Sequence, residues 1–135
     1  MTILNAARAV LDNRLSSTPN VPFIANQNVP FARPESGIYI KSTFIPTSRR
    51  MATMGTSFQQ KYQGLFRLMV CVPEHEGNGR GLEVCDTLLA RFQASQDITF
   101  NGLSLTIEYS EVGASFLDSP YYCTPINVAW YCYHA

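Results

Sequence analysis

Tyr62-Gln63-Gly64-Leu65-Phe66-Arg67-Leu68-Met69-Val70-Cys71-Val72 is the longest strand signal in the chain, and the reading of its two faces decides the fold. Gly64, Phe66, Leu68, Val70 and Val72 fall on one face at a period of two, and Leu65, Arg67, Met69 and Cys71 fall on the other. Both faces are largely apolar. A half-solvated strand alternates polar and apolar residues, so this one predicts a central place in a sheet.

Upstream, Ile38 to Phe44 is β-branched and aromatic, bounded by Gly37 and Pro46, and reads as a second strand. Between the two lies a polar stretch, Pro46 to Lys61, with Thr47-Ser48-Arg49-Arg50, Gly55 and Gln59-Gln60. It reads as a long loop, of the kind that in compact domains is functional or mobile. Near the start, Ile3, Leu4, Ala7, Val10, Leu11 and Leu15 recur at helical spacing, with Arg8 and Asp12 four apart on the other side. That helix ends before Ser16-Ser17-Thr18-Pro19. Pro19 to Pro34, with four prolines, reads as an extended connection anchored by Phe23 and Phe31.

Downstream, Pro73 to Gly81 is a turn region, and Leu82, Cys85, Leu88, Leu89 and Phe92 trace a second amphipathic helix. Asn101-Gly102 between Ile98–Phe100 and Leu103–Tyr109 is a strong hairpin signal. In the second arm Leu103, Leu105, Ile107 and Tyr109 alternate with polar residues, which leaves one face wet. A loop through Pro120 leads to a last strand, Ile126 to Tyr133, with Ile126, Val128, Trp130 and Cys132 facing one way. The expected fold is α/β of the α+β type: a mainly antiparallel or mixed sheet of four to five strands, with two helices packed on one face.

A chain of 135 residues has room for one domain, taken as 1–135. With 46% hydrophobic, 12% aromatic and only 15% charged residues it has little polar surface to keep it monomeric, a hint of buried subunit interfaces. Ten basic and ten acidic side chains cancel, and Arg49-Arg50 is the only adjacent basic pair, which argues against tight DNA binding. No apolar run approaches the ~20 residues of a membrane span. Arg8, Asp12 and Arg14 interrupt the N-terminus, so it does not read as a signal peptide, and a reducing cytoplasm is the expected place of synthesis. Cys71, Cys85, Cys123 and Cys132 form no C-x-x-C pair, and His75 and His134 complete no zinc spacing. The cysteines therefore read as small hydrophobes.

Gly77-Asn78-Gly79-Arg80-Gly81 is the most enzyme-like feature, since a glycine-rich turn into a helix can present N–H groups to a phosphate. The spacing lacks the third glycine of the dinucleotide fingerprint and the Lys-Ser/Thr of a P-loop. Glu74-His75-Glu76 has no nucleophile tied to it, and no G-x-S-x-G elbow surrounds any serine. No catalytic, cofactor-binding or metal-ligating set is expected. Tyr121, Tyr122, Trp130, Tyr131 and Tyr133 form a C-terminal aromatic cluster, open to reading as sheet core or as an interface patch.

The order of these features resembles the small tail-completion, or tail-terminator, proteins of long-tailed bacteriophages, over nearly the whole chain. The pieces are the N-terminal helix, Asn28-Val29-Pro30-Phe31, Gly37-Ile38-Tyr39-Ile40, Tyr62-Gln63-Gly64-Leu65-Phe66 and the Gly77–Gly81 turn into its helix. Phe100-Asn101-Gly102-Leu103 and Tyr121-Tyr122-Cys123-Thr124-Pro125-Ile126 complete the series. The resemblance implies a non-enzymatic virion protein, assembled in the host cytoplasm: a hexameric ring that caps the tail tube and offers a surface to a head-completion or neck protein. It implies only transient contact with DNA through the lumen, and no membrane or cofactor. Arg49, Arg50, Met51 and Met54 in the long loop, with Tyr121, Tyr122, Tyr131 and Tyr133, are then the expected contact residues. A head–tail connector or neck subunit, and a small-ligand domain built on Gly77–Gly81, are the alternatives.

Overall fold

The Tyr62–Val72 signal lies inside β3 (Gln60–Pro73), which sits in the interior of the sheet, as its two apolar faces predict. The computed structural model describes residues 3–18, 23–25, 37–51, 59–73, 79–100, 102–118 and 120–134. In chain order the elements are α1 (Ile3–Ser16), β1 (Phe23–Ala25), β2 (Tyr39–Met51), β3, α2 (Gly79–Arg91), β4 (Asp97–Phe100), β5 (Leu103–Val112), β6 (Phe116–Asp118) and β7 (Tyr121–His134). The strand order is β1-β2-β3-β7-β5-β4, with β6 also on β7. Only β1–β2 is parallel. The α+β class and the mixed sheet stand, but among the described residues the sheet has seven strands where four to five are expected. The additions, β1 and β6, are three residues each, too short to carry a periodic signal.

β3 and β7 pair along their entire lengths, Gln60 with His134 through Pro73 with Tyr121. The expected loop before Ile126 is therefore mostly strand, since β6 turns back into β7 and pairs with it from Asp118–Tyr121 to Phe116–Cys123. The expected loop from Pro46 to Lys61 is corrected in the same way. β2 runs on to Met51 and β3 starts at Gln60, so the stretch is the distal part of one long hairpin; residues 52–58, Met54 among them, lie outside the described residues. Pro46 does not end β2. Beyond the Tyr39–Lys41 pairing with β1 the far edge of β2 has no strand on it among the described residues, and the register shifts between Pro46 and Ser48. An edge position beside a bulge is where a sheet tolerates a residue with no N–H.

One face of the sheet carries Ile40, Phe66, Leu68, Val70, Leu105, Ile107, Ile126, Val128 and Trp130, all at most 1% exposed, and both helices pack into this cluster. α1 contributes Ala7, Val10, Leu11 and Leu15, and α2 contributes Cys85 and Leu88. Three expected core positions turn out exposed: Leu4 at 43%, Leu82 at 44% and Tyr109 at 44%. Leu4 and Leu82 lie near the helix starts. Tyr109 is displaced by a bulge, because the β5–β7 register shifts between Ile107 and Tyr109 and moves it off the face that Ile107 shares. The Asn-Gly hairpin is as read: Phe100 pairs with Leu103, and Gly102 takes φ 83°.

The two helix C-termini are tied by arginines. Arg91 donates from Nη2 to Ser17 Oγ (2.7 Å) and Arg14 O (3.4 Å) and from Nε to Thr18 Oγ1 (3.3 Å). Arg14 Nε returns a bond to Arg91 O at 3.1 Å. Cations at helix C-termini satisfy the orphan carbonyls and oppose the dipole. Arg91→Ala is expected to lower stability by about 1–2 kcal/mol, seen as a thermal midpoint about 5 °C lower. An unchanged midpoint would show the network to be ornamental.

Candidate assembly surfaces

The register of β2 and β3 places the cations of their hairpin. Arg49 pairs with Tyr62, Arg50 with Lys61 and Met51 with Gln60, and those β3 residues pair in turn with Cys132, Tyr133 and His134 of β7. Arg49 and Arg50 are exposed, and Met51 is 65% exposed. The two arginines have no ion-pair partner among the described residues. Side chains alternate along a strand, so Arg50 and Lys61 share the face away from the helices and Arg49 takes the other. Like charges directly opposite across two strands are unfavourable. Lys61 finds partial relief 4.7 Å over the Tyr131 ring, which meets Tyr133 edge-on at 5.7 Å.

Arg49, Arg50, Met51, Tyr131 and Tyr133 therefore gather at one end of the sheet. An open groove of about 610 Å³ lies there, between Lys61, Tyr131 and Tyr133 on one side and Asp97 and Glu108 on the other. Tyr121 and Tyr122 lie at the opposite end of β7, about 30–40 Å away along the strand. Tyr121 is 2% exposed and packs edge-on against Tyr39 at 4.9 Å, while Tyr122 lies half-buried against the main core. The C-terminal aromatics are thus divided between fold and surface, not one patch.

A second surface was not legible as a site. Beyond Thr106, the last β5 residue paired to β4, the outer edge of β5 and then of β6 has no strand on it among the described residues. Along it Tyr109, Val112, Phe116 and Leu117 are 44%, 43%, 44% and 60% exposed, beside the exposed acids Glu108 and Glu111. An unpaired edge with exposed apolar side chains is a template for association. Of the Gly77–Gly81 run, Gly81 has a packing role. Gly77 and Asn78, like Glu74-His75-Glu76, lie outside the described residues, while Gly79 to Gly81 open α2. A Cβ on Gly81 would meet Val72 Cγ1 at 3.1 Å, so this glycine lets the helix lie close on β3.

Burial pushes the Cys85 thiol up to about 11, with a contribution from the Asp86 charge, and burial alone does the same to Cys132. Thiols so raised stay protonated at neutral pH and are poor nucleophiles. Among the described residues no group of three His, Cys, Asp or Glu side chains is placed to hold a metal ion, and no helix is long and apolar enough to cross a membrane.

The chain matches the model of a family described as phage tail terminator protein over residues 2–130. Among 9 solved chains that match, one is similar over 100% of this chain and 98% of its own, with a TM-score of 0.75 at 22% identity. That likeness is one of fold. No curated protein sequence matches the chain.

Proposed function

The chain belongs to the phage tail terminator family, and from that premise we propose that it closes the tail as a six-membered ring seated on the tail tube, with its other side offered to a head-completion or neck protein. The family is structural and places the chain among the components of the phage tail. A closed ring of identical subunits needs two different, complementary surfaces on each copy. The observation that supports the reading is that this chain has two different exposed surfaces, one cationic and one acidic and apolar. The β2 side bears Arg49, Arg50 and Met51, and the β5–β6 edge, on the other flank of β3 and β7, bears Glu108, Glu111 and exposed apolar side chains. In the proposed ring the cationic hairpin of one subunit lies against the acidic, apolar edge of the next. The same groups account for the contacts expected of Tyr131 and Tyr133, which flank the hairpin. Genome passage through the lumen requires weak DNA contact, in keeping with a net charge of zero.

The test is assembly. Wild-type protein is expected to form rings by sedimentation and electron microscopy, alone or on purified tail tubes. Arg49→Glu with Arg50→Glu should weaken ring formation at least about tenfold, the scale of one lost desolvated charge pair. Adding Glu108→Lys and Glu111→Lys should restore much of it. Rings of undiminished stability from the double variant would remove the hairpin from the interface. Wild-type protein that stays monomeric in the presence of tubes, and leaves tube length unregulated, would overturn the ring itself.

A further inference from the structure

We infer that Cys71 and Cys123 form a disulfide site, closing into a cross-strand bond between β3 and β7 when the protein meets a small-molecule disulfide. The two residues are register partners on adjacent antiparallel strands, and Cys123 Sγ lies 2.7 Å from Cys71 Sγ. Antiparallel partners sit with Cα atoms about 4.5–5.5 Å apart, inside the ~4.4–6.8 Å window a disulfide needs. No backbone movement is required. The pair is 2% and 1% exposed, on the sheet face away from the helices, in a small cluster with Tyr39, Tyr121 and Met69. Cys85 and Cys132 belong to the other cluster, with the helices, and do not compete for either partner.

The chemistry balances by two exchanges. One thiolate attacks a sulfur of the small disulfide and releases one small thiol. The second thiolate attacks the resulting mixed disulfide, forming the Cys71–Cys123 bond and releasing the other small thiol. Two protein S–H bonds are oxidised and one small disulfide is reduced to two thiols. In a reducing cytoplasm the pair stays dithiol during assembly; outside the cell, where virions travel, the oxidised form is favoured. The bond would staple the two longest strands of the sheet and close a loop of about fifty residues, a span for which disulfide stabilisation is large.

Wild-type protein is incubated natively, and separately refolded from urea, in oxidised glutathione or in dithiothreitol, then denatured, alkylated and mapped by mass spectrometry without reduction. The reduced samples should carry four alkyl groups, one per cysteine. The oxidised samples should carry two, on Cys85 and Cys132, with one peptide pair joining Cys71 to Cys123. Their unfolding midpoint should rise by about 10 °C. Cys123→Ala should abolish that rise and yield no joined peptide pair, with Cys71 held instead as its glutathione adduct. In the wild type, four alkyl groups after oxidative refolding, a lasting glutathione adduct at Cys71 or Cys123, or a pair involving Cys85 or Cys132 would each overturn the assignment.

Discussion

Gly64→Ala is expected to destabilise the protein by about 3 kcal/mol or more, and Gly64→Val to leave it insoluble. An added Cβ at this position would collide with the Ile45 carbonyl oxygen, with Pro46 Cα at 2.9 Å and with Trp130 Cζ2 at 2.9 Å. Two of those atoms are β2 backbone, and the third belongs to a fully buried indole, so none can yield cheaply. Gly64 pairs with Pro46 and with Trp130, so the collision falls where β2 leaves regular register and where β7 packs its largest side chain. A midpoint lowered by about 10 °C is the expected reading for the alanine variant. Gly79→Ala is the control: nothing lies within 4 Å of its added Cβ, and alanine is the better helix former, so that variant should be neutral or slightly stabilised. If Gly64→Ala melts within a degree or two of wild type, the close approach of β2, β3 and β7 is not what that glycine serves.

This crossing point also marks how far the sequence can be read. The interior place of β3 is legible because it depends only on a local pattern, apolar residues on both faces, and so is the Asn101-Gly102 hairpin. The bulges are not legible, since a one-residue shift leaves no trace in composition while it turns every later side chain to the other face. Tyr109 therefore moves from expected core to surface, and Thr47 to Met51, after Pro46, continue the strand. Register hides the assembly surface in the same way. Arg49 and Arg50 stand out as adjacent cations, but only the β2–β3 and β3–β7 pairings bring Lys61 and Tyr133 alongside Arg50. Nor does the sequence join Cys71 to Cys123, because their spacing is long and their neighbours are merely apolar. The acidic, apolar β5–β6 edge goes unseen because an exposed Leu or Phe looks the same in a string as a buried one.

Trp130→Ala is expected to cost about 3–5 kcal/mol, the range for emptying a large aromatic site in a core that cannot collapse around it. The indole is fully buried and stacks on Phe44 with centroids 5.3 Å apart and planes 16° off parallel. Its Nε1 is buried and meets no acceptor among the described residues. Trp130→Phe should therefore be much milder, about 1–2 kcal/mol: it forfeits part of the ring's volume but also removes an unsatisfied donor, whose burial itself costs about 1–3 kcal/mol. The comparison separates packing from polarity. Near-equal losses in the two variants would mean that Nε1 has a partner after all; a harmless alanine would mean that the stack does not hold the sheet. Trp130 is the chain's single tryptophan, so its fluorescence reports this site directly in the wild type, with buried emission that shifts to the red on unfolding. The site also bears on assembly, since Phe44 stands on β2 just before the Pro46 bulge, at the root of the hairpin that carries Arg49 and Arg50. Loosening the stack frees the direction of that hairpin. In the proposed ring, Trp130→Phe is then expected to weaken subunit association by more than its small loss of stability explains, measured as ring dissociation at temperatures where both proteins remain folded. Equal ring stability in the two proteins would confine Trp130 to the fold of the single subunit.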